Sequence, residues 1–309
     1  MTLHVTFLGT SGAVPTVERN TSSIFINRDG DLLLFDVGEG TQRQMMRFGT
    51  GFSISHIFIT HLHGDHVLGL PGLIQTWEFN DREQRVEIYT PPGTSHQISE
   101  LIHVLDTSPS FPITITEVHP GDRAIAFEEY HIKAFETDHR TTAVGYALIE
   151  SERKGRFNRE KAEELGVPVG PKFSKLHEGE SVKLEDGRVI EPDQVVGPPR
   201  PGRKIVYTGD TRPNAKTTDI AESADLLIHD ATFASEKQPR AHETAHATAA
   251  QAAEIAQEAE AKRLALMHIS SRYANDPTVL KEEAEAVFDG EVLLPADGRT
   301  IDVPYPESQ

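Results

Sequence analysis

At 309 residues the chain can hold one large domain or two small ones, and its 48 acidic against 30 basic residues give a net charge of −18. It contains no cysteine, which excludes disulfides, thiol catalysis and a structural zinc site built on cysteine. The bulk negative charge argues against nucleic acid as a partner unless a local basic segment provides an exception.

In the first half, short β-branched and apolar runs predict strands at 5–8, 22–27, 32–36, 57–60, 86–89, 113–118, 132–137 and 144–149. Helices are predicted at 40–47 and 67–78. Glycine and proline then recur throughout residues 152–204, which favours an inserted segment of short hairpins and turns. Regular structure resumes with predicted strands at 205–208, 226–229, 264–267 and 292–294, and predicted helices at 247–260 and 278–288. We therefore expect one layered α/β domain spanning 1–309, with an insertion at about 152–204.

No apolar run approaches the roughly 18 residues that a transmembrane helix needs. The N-terminal residues lack a basic segment followed by an apolar core, so no secretory signal is visible. We expect a cytoplasmic protein with no membrane partner.

Directly after the predicted strand 57–60, four side chains able to bind a metal fall within six positions: His61, His63, Asp65 and His66. In extended backbone the first three share a face, and a turn through Gly64 brings His66 to the same point. Imidazole and carboxylate together suit zinc better than magnesium or calcium. The alternative, a histidine-rich surface loop, is disfavoured by this density of ligands.

Three further candidate ligands stand where predicted strands end: His139, Asp210 and His268. Seven ligands are too many for one tetrahedral zinc, and they fit two ions that share a bridging carboxylate.

The ligand pattern, with the segments FLGTSG at 7–12, GPPRPGRK at 197–204, GDTRP at 209–213 and HISSRY at 268–273, resembles the tRNase Z family of the metallo-β-lactamase superfamily. The resemblance runs from about residue 3 to 304. It implies a four-layered αββα sandwich and an endonuclease that removes the 3′ trailer from precursor tRNA, leaving a 3′-hydroxyl on the tRNA. It also implies a homodimer.

The resemblance further implies two Zn²⁺ ions per subunit, one held by His61, His63 and His139, the other by Asp65, His66 and His268, with Asp210 bridging. Asp65 would also steer or accept the proton of the attacking water. His246 matches the family's general acid, which protonates the leaving oxygen. The carboxylate that orients this acid is Asp230 here, one methylene shorter than the family's glutamate.

Two regions are candidates for binding precursor tRNA. Segment 152–204 resembles the family's tRNA-gripping arm, and it has twelve basic against ten acidic residues while the rest of the chain is strongly acidic. Its candidate contacts are Arg156, Lys172 and Lys175; the alternative is a mixed-charge solvated loop. Loop 15–20 resembles the family loop that senses the CCA end, through Arg19 and Asn20, with Val17 where the family usually has lysine.

Three other functions are alternatives to a tRNA endonuclease. A small-ester or thioester hydrolase on the same fold needs neither the arm nor His246, because its substrates are not polyanions. A redox di-iron protein would usually carry a carboxylate where His63 stands. A tRNA-binding module without catalysis is disfavoured because all seven ligands are present.

The acidity itself yields a prediction. Apolar content is ordinary, so the charge does not indicate disorder. It is either an ordinary solvated surface or an adaptation to high internal salt, which screens repulsion, and we favour the adaptation. We expect the melting temperature to rise from low to molar salt, measured by circular dichroism. A melting temperature that does not change with salt would contradict the adaptation.

Overall fold

The computed structural model describes residues 2–104 and 108–306. The chain divides into two compact units, one built from the residues up to Ile149 and from Arg203–Pro304, the other from Glu150–Gly202 and the chain from Tyr305 onward. The second unit begins and ends within two residues of the predicted insertion. In the described part of the chain, no helix is long and apolar enough to cross a membrane.

The strands of the first unit form, within the described residues, two seven-stranded sheets. In spatial order the first sheet contains β18 (Thr300–Asp302), β1 (Leu3–Gly9), β3 (Ser23–Arg28), β4 (Asp31–Phe35), β5 (His56–Phe58), β6 (Val86–Thr90) and β7 (Ile113–Glu117). The second contains β17 (Glu291–Leu293), β15 (Arg263–Met267), β14 (Leu226–Asp230), β13 (Lys204–Tyr207), β10 (Val144–Glu150), β9 (Tyr130–Glu136) and β8 (Arg123–Ala126). A short parallel pair joins β2 (Ser11–Gly12) to β16 (Ile269–Ser270).

Helices cover the outer faces of both sheets. The first sheet packs against α1 (Thr41–Phe48), α3 (Leu70–Phe79) and α4 (Ser95–Ile102), and a single turn, α2 (Gly64–Val67), precedes α3. The second sheet carries α7 (Ala215–Ala221), α8 (Gln238–Thr244), α9 (Ala249–Glu258) and α10 (Thr278–Glu285). Helix α9 begins at a capping box in which Thr248 and Gln251 satisfy each other's backbone amides.

The layers follow from where the apolar side chains go. Alternate residues of both sheets, such as Val5, Phe35, Tyr146 and Ile205, form one core between the sheets. The other faces of the strands pack on the helices in two further cores. The predicted four-layered αββα sandwich is therefore confirmed.

The second unit contains helices as well as turns. Helices α5 (Arg159–Glu164) and α6 (Pro171–Glu178) and the hairpin of β11 (Val182–Lys183) with β12 (Val189–Ile190) surround a small apolar core. The predicted hairpin is present, but the two helices were not predicted. The glycine and proline residues stand at the ends of the helices and do not interrupt them. Pro171 is the first residue of α6, and Gly179, at φ 97°, ends it.

The first unit also departs from prediction in one place near the site. The single helix expected at 67–78 is two helices, α2 and α3, separated by a break at Leu68 and Gly69. A Cβ at Gly69 would lie 2.1 Å from the carbonyl oxygen of Gly38, so only glycine allows this approach. Strands β2, β8, β16 and β18 and helices α4, α7 and α8 were not predicted, because each is short.

Candidate metal centre

The predicted ligands converge where strands of both sheets end, and all belong to the first unit. His61 and His63 follow β5, while His139, Asp210 and His268 follow β9, β13 and β15. Their ligating atoms form two groups, each with all atoms within 4.8 Å of one another.

The first group contains His61, His63, His139 and Asp210. His61 Nε2 lies 3.0 Å from His63 Nδ1 and 3.5 Å from Asp210 Oδ2. His139 Nε2 lies 3.2 Å from the same His63 nitrogen. Three imidazole nitrogens and one carboxylate oxygen thus face a common point, as the ligands of a tetrahedral metal do.

The second group contains Asp65, His66, His268 and again Asp210. His66 Nε2 is 3.3 Å from Asp210 Oδ1, and His268 Nε2 is 3.1 Å from Asp65 Oδ2 and 3.3 Å from Asp210 Oδ2. The predicted extended run through Asp65 was wrong, because α2 begins at Gly64 and places Asp65 and His66 on a helical turn. That turn separates them from His61 and His63.

Two buried polar atoms test whether a cation fits here. His66 Nε2 and Asp210 Oδ1 have no hydrogen-bond partner in the described part of the protein. A buried polar atom without a partner costs about 1–3 kcal/mol, which a bound cation would offset. The donor set of imidazole and carboxylate fits zinc-like metals.

The electrostatics of the ligands agree with cation binding. Burial lowers the pKa of His61 well below its usual value, and neighbouring histidines lower it further, so its ring is in the neutral, ligating form. Burial alone would lower the pKa of His66, but the Asp210 and Asp36 carboxylates outweigh it and raise that pKa well above its usual value. The field at His66 therefore favours positive charge, whether a proton or a metal supplies it.

A second pair of residues, His246 and Asp230, lies beside the ligands. His246 Nδ1 is 2.7 Å from Asp230 Oδ2, so the shorter aspartate still reaches the imidazole. Asp230 also accepts hydrogen bonds from the backbone amides of Thr211 and Thr232, which fix its orientation. Burial lowers the pKa of His246, but the Asp230 carboxylate dominates and raises it to about 9, so the ring is protonated at neutral pH.

A cavity of about 490 Å³ opens onto these groups. It is lined by side chains of the metal centre, including His63, Asp65 and His139, together with His246 and the loop residues Ala13 and Pro15. Three of the predicted ligands and the predicted general acid thus face the same space.

Comparisons with known proteins agree with this geometry. Residues 194–269 match the family model described as the beta-lactamase superfamily domain, and residues 3–154 match the model described as Anti-Pycsar protein Apyc1. The ribonuclease Z of Natronomonas pharaonis is 62% identical over 99% of this chain and 100% of its own length. The ribonuclease Z of Myxococcus xanthus is 47% identical over 98% of each chain.

The chain belongs to the ribonuclease Z family. Among solved structures, the short form of human tRNase Z superposes with a TM-score of 0.71 at 29% identity, over 97% of this chain and 99% of that one. The metallo-β-lactamase fold protein YhfI of Bacillus subtilis has a TM-score of 0.71 at 19% identity, over 98% and 100% of the two chains, and supports the fold alone. The predicted family and an enzymatic, metal-dependent hydrolase are therefore confirmed.

The predicted substrate-binding residues lie in different environments. Arg19 is buried, and its Nη1 donates to Thr10 Oγ1 at 2.6 Å and to the carbonyl oxygen of Pro295 at 2.7 Å. Asn20 is half-buried, and its amide side chain donates to the carbonyl oxygen of Glu39. Neither residue lines the cavity.

In the second unit, Arg156 and Lys175 are exposed and Lys172 is half-buried. Arg156 lines a cavity of about 560 Å³ with Arg159 and Lys161. Lys172 lines a smaller cavity of about 310 Å³ with Arg188. Acidic residues line both cavities as well, and Arg159 and Arg188 are paired with Glu163 and Asp186.

Sequence reasoning missed Asp36, which is fully buried behind the metal centre. Its Oδ2 lies 2.7 Å from His66 Nδ1 and accepts hydrogen bonds from Tyr207 and Thr60, each at 2.8 Å. The signal was present, because Asp36 directly follows β4 in the same way that the ligands follow their strands. Its carboxylate fixes the ring of His66 and directs Nε2 toward Asp210.

Replacing Asp36 with asparagine should weaken metal binding by about 10- to 100-fold, the usual cost of losing such a ligand-orienting partner. Metal affinity would be measured by titration into the metal-free protein. Asp29→Asn is the matched control: Asp29 also has a positive φ, 52° against 55° for Asp36, but is exposed and remote from the ligands. Equal metal affinity in wild type and Asp36→Asn would contradict this role.

Proposed function

We propose that the protein cleaves precursor tRNA immediately after its mature 3′ end, using two zinc ions, and leaves a 3′-hydroxyl on the tRNA. The observation that carries the proposal is the pair of ligand groups sharing Asp210 beside the His246–Asp230 pair, with members of both ligand groups and His246 lining one cavity. Phosphodiester hydrolysis needs two such features, a cationic centre and a proton donor for the leaving oxygen.

The ligand assignment follows the two groups. His61, His63 and His139 would hold one ion, and Asp65, His66 and His268 the other, with Asp210 between them. When bound, the two cations supply Lewis-acid stabilisation of phosphate charge and lower the pKa of water. The carboxylate of Asp65 is held through its Oδ2 atom, which contacts the backbone amide of Ala13 and Nε2 of His268. At the cavity wall this carboxylate would steer the attacking water or accept its proton.

His246 serves as the general acid. It lines the cavity, and its Nδ1 contact with Asp230 leaves the other ring nitrogen to carry the proton that the leaving 3′ oxygen needs. The raised pKa of about 9 keeps this proton on the ring at neutral pH. General acid assistance is worth about 10²- to 10⁴-fold in rate.

Precursor tRNA is the proposed substrate, and the second unit is its proposed grip. Residues 152–204, most of which lie in this unit, have twelve basic against ten acidic residues while the remainder of the chain is strongly acidic, so this is the part of the chain that repels phosphates least. Arg156, Lys172 and Lys175 are its proposed contacts. We further propose a homodimer that acts in the cytoplasm, and light scattering on the purified protein tests the dimer.

A small-ester or thioester hydrolase is the competing function. It would account for the metal centre but gives no role to the second unit of about fifty residues, which carries the proposed tRNA contacts. The two functions are separated by the substrate that is cleaved.

The test uses a tRNA precursor bearing a 3′ trailer, with the product ends mapped. A variant whose residues 155–199 are replaced by a short Gly-Ser linker is compared with wild type on this RNA and on bis(p-nitrophenyl) phosphate. We expect wild type to cut at the tRNA 3′ end. The linker variant should lose orders of magnitude on precursor tRNA and retain hydrolysis of the small phosphodiester, because the ligands lie outside the replaced segment.

Three outcomes would contradict the proposal. If the wild-type protein leaves the RNA intact, the proposed cleavage of precursor tRNA is wrong. Equal loss of both activities in the linker variant would mean that the segment is structural. Full retention of tRNA cleavage would place substrate recognition elsewhere.

A further inference from the structure

The turn between β17 and β18 contains Asp297, a half-buried aspartate that takes no part in the chemistry described above. Its carboxylate accepts three hydrogen bonds: Oδ1 from Thr10 Oγ1 at 2.8 Å, and Oδ2 from the backbone amide of Asn20 at 2.6 Å and from Gln44 Nε2 at 2.7 Å. These donors come from the end of β1, the loop before β3, and helix α1. One carboxylate therefore ties three separate segments together.

Arg19 closes the arrangement. Its guanidinium donates to Thr10 Oγ1, which in turn donates to Asp297, and also to the carbonyl oxygen of Pro295 beside that aspartate. Buried charged groups are expensive unless paired and bonded, so a buried arginine with these partners holds one geometry. We call Thr10, Arg19, Asn20, Gln44 and Asp297 the Asp297 network.

The Asp297 network holds the base of the loop formed by residues 13–18. The base is closed by the bond from the Ser11 amide to the Asn20 carbonyl oxygen, at 2.8 Å. The tip is exposed: Val17 has 97% of its surface accessible. A loop with such a solvated tip has little packing of its own, so its position depends on its base.

The same loop reaches the reacting groups. The backbone amide of Ala13 donates to Asp65 Oδ2 at 2.7 Å, with Ala13 held at φ 61°. Ala13 and Pro15 also form part of the cavity wall. Left-handed backbone is unfavourable for alanine, so the surrounding contacts must impose this conformation.

We propose that Asp297 is a positioning residue for the reaction: it fixes the base of loop 13–18, and the Ala13 amide thereby holds the Asp65 carboxylate in its working orientation. The inference rests on the proposed function of the metal centre. It also gives Arg19 and Asn20 a role as supports of the loop that walls the cavity, in place of direct contact with tRNA.

The test variant is Asp297→Asn, which keeps the size of the side chain and removes its negative charge and one acceptor oxygen. Its kcat and KM are measured on precursor tRNA and on bis(p-nitrophenyl) phosphate, well below its melting temperature, with metal content determined in parallel. We expect kcat to fall by about 10- to 100-fold on both substrates, since small misplacements of catalytic groups cost this much. KM for the RNA and the metal content should stay close to wild type.

Asp302→Asn is the matched control, because Asp302 lies five residues further on, in β18, and its side chain is 63% exposed. It should retain wild-type kcat. If Asp297→Asn does not fold, Thr10→Val removes the bond to Oδ1 at nearly constant volume and is tested in the same way. In a double-mutant cycle the two substitutions should be less than additive, because they break one network.

The proposal is overturned if Asp297→Asn only lowers the melting temperature and leaves kcat unchanged. It is also overturned if the only effect of the substitution is a higher KM for the RNA. The loop would then contact the substrate but would not influence Asp65. If wild type cleaves neither substrate, the function of the metal centre fails; if wild type is active and Asp297→Asn matches it, only this inference fails.

Discussion

Asp210 belongs to both ligand groups, and the other ligands surround its two carboxylate oxygens. Oδ1 faces His66, while Oδ2 faces His61 and His268. The side chain is almost completely buried, and although burial raises its pKa, the surrounding histidines lower it well below the usual range. A buried carboxylate among this many imidazoles is stable as an anion only if the positive charge around it is maintained.

The two-sheet sandwich is what brings ligands to that carboxylate. Strand β5 of the first sheet and strands β9, β13 and β15 of the second all end at the site. Close approaches at the same end depend on glycine: a Cβ at Gly12 would lie 2.4 Å from His268 Nδ1, and one at Gly38 would lie 2.5 Å from the carbonyl oxygen of Asp65. The fold and the site therefore constrain each other.

Much of this arrangement was predictable from the sequence. Ligands at strand ends are visible as polar residues after apolar runs, and this rule located His139, Asp210 and His268 as well as the opening cluster. The rule also applied to Asp36, which was missed because no neighbouring histidine drew attention to it. Roles that depend on distant partners, such as that of Asp297, cannot be seen in sequence, because its donors are more than 250 residues away.

The strong negative charge of the chain and a polyanionic substrate are compatible because charge acts locally. Screening limits the repulsion between an acidic surface and RNA to short distances, more so at high salt. A net basic segment of the chain, residues 152–204, can then bind phosphates although the remainder is strongly acidic.

If the carboxylate of Asp210 serves two metal ions, its removal should affect both. The most direct test is to replace Asp210 with alanine and to measure the metal content of the variant by plasma emission spectroscopy, together with its cleavage of precursor tRNA. Asp219→Ala, on the exposed face of α7, is the control. We expect Asp210→Ala to lose both ions or all hydrolysis, and the control to retain both ions and wild-type hydrolysis. Two ions still bound to Asp210→Ala with turnover near wild type would contradict it.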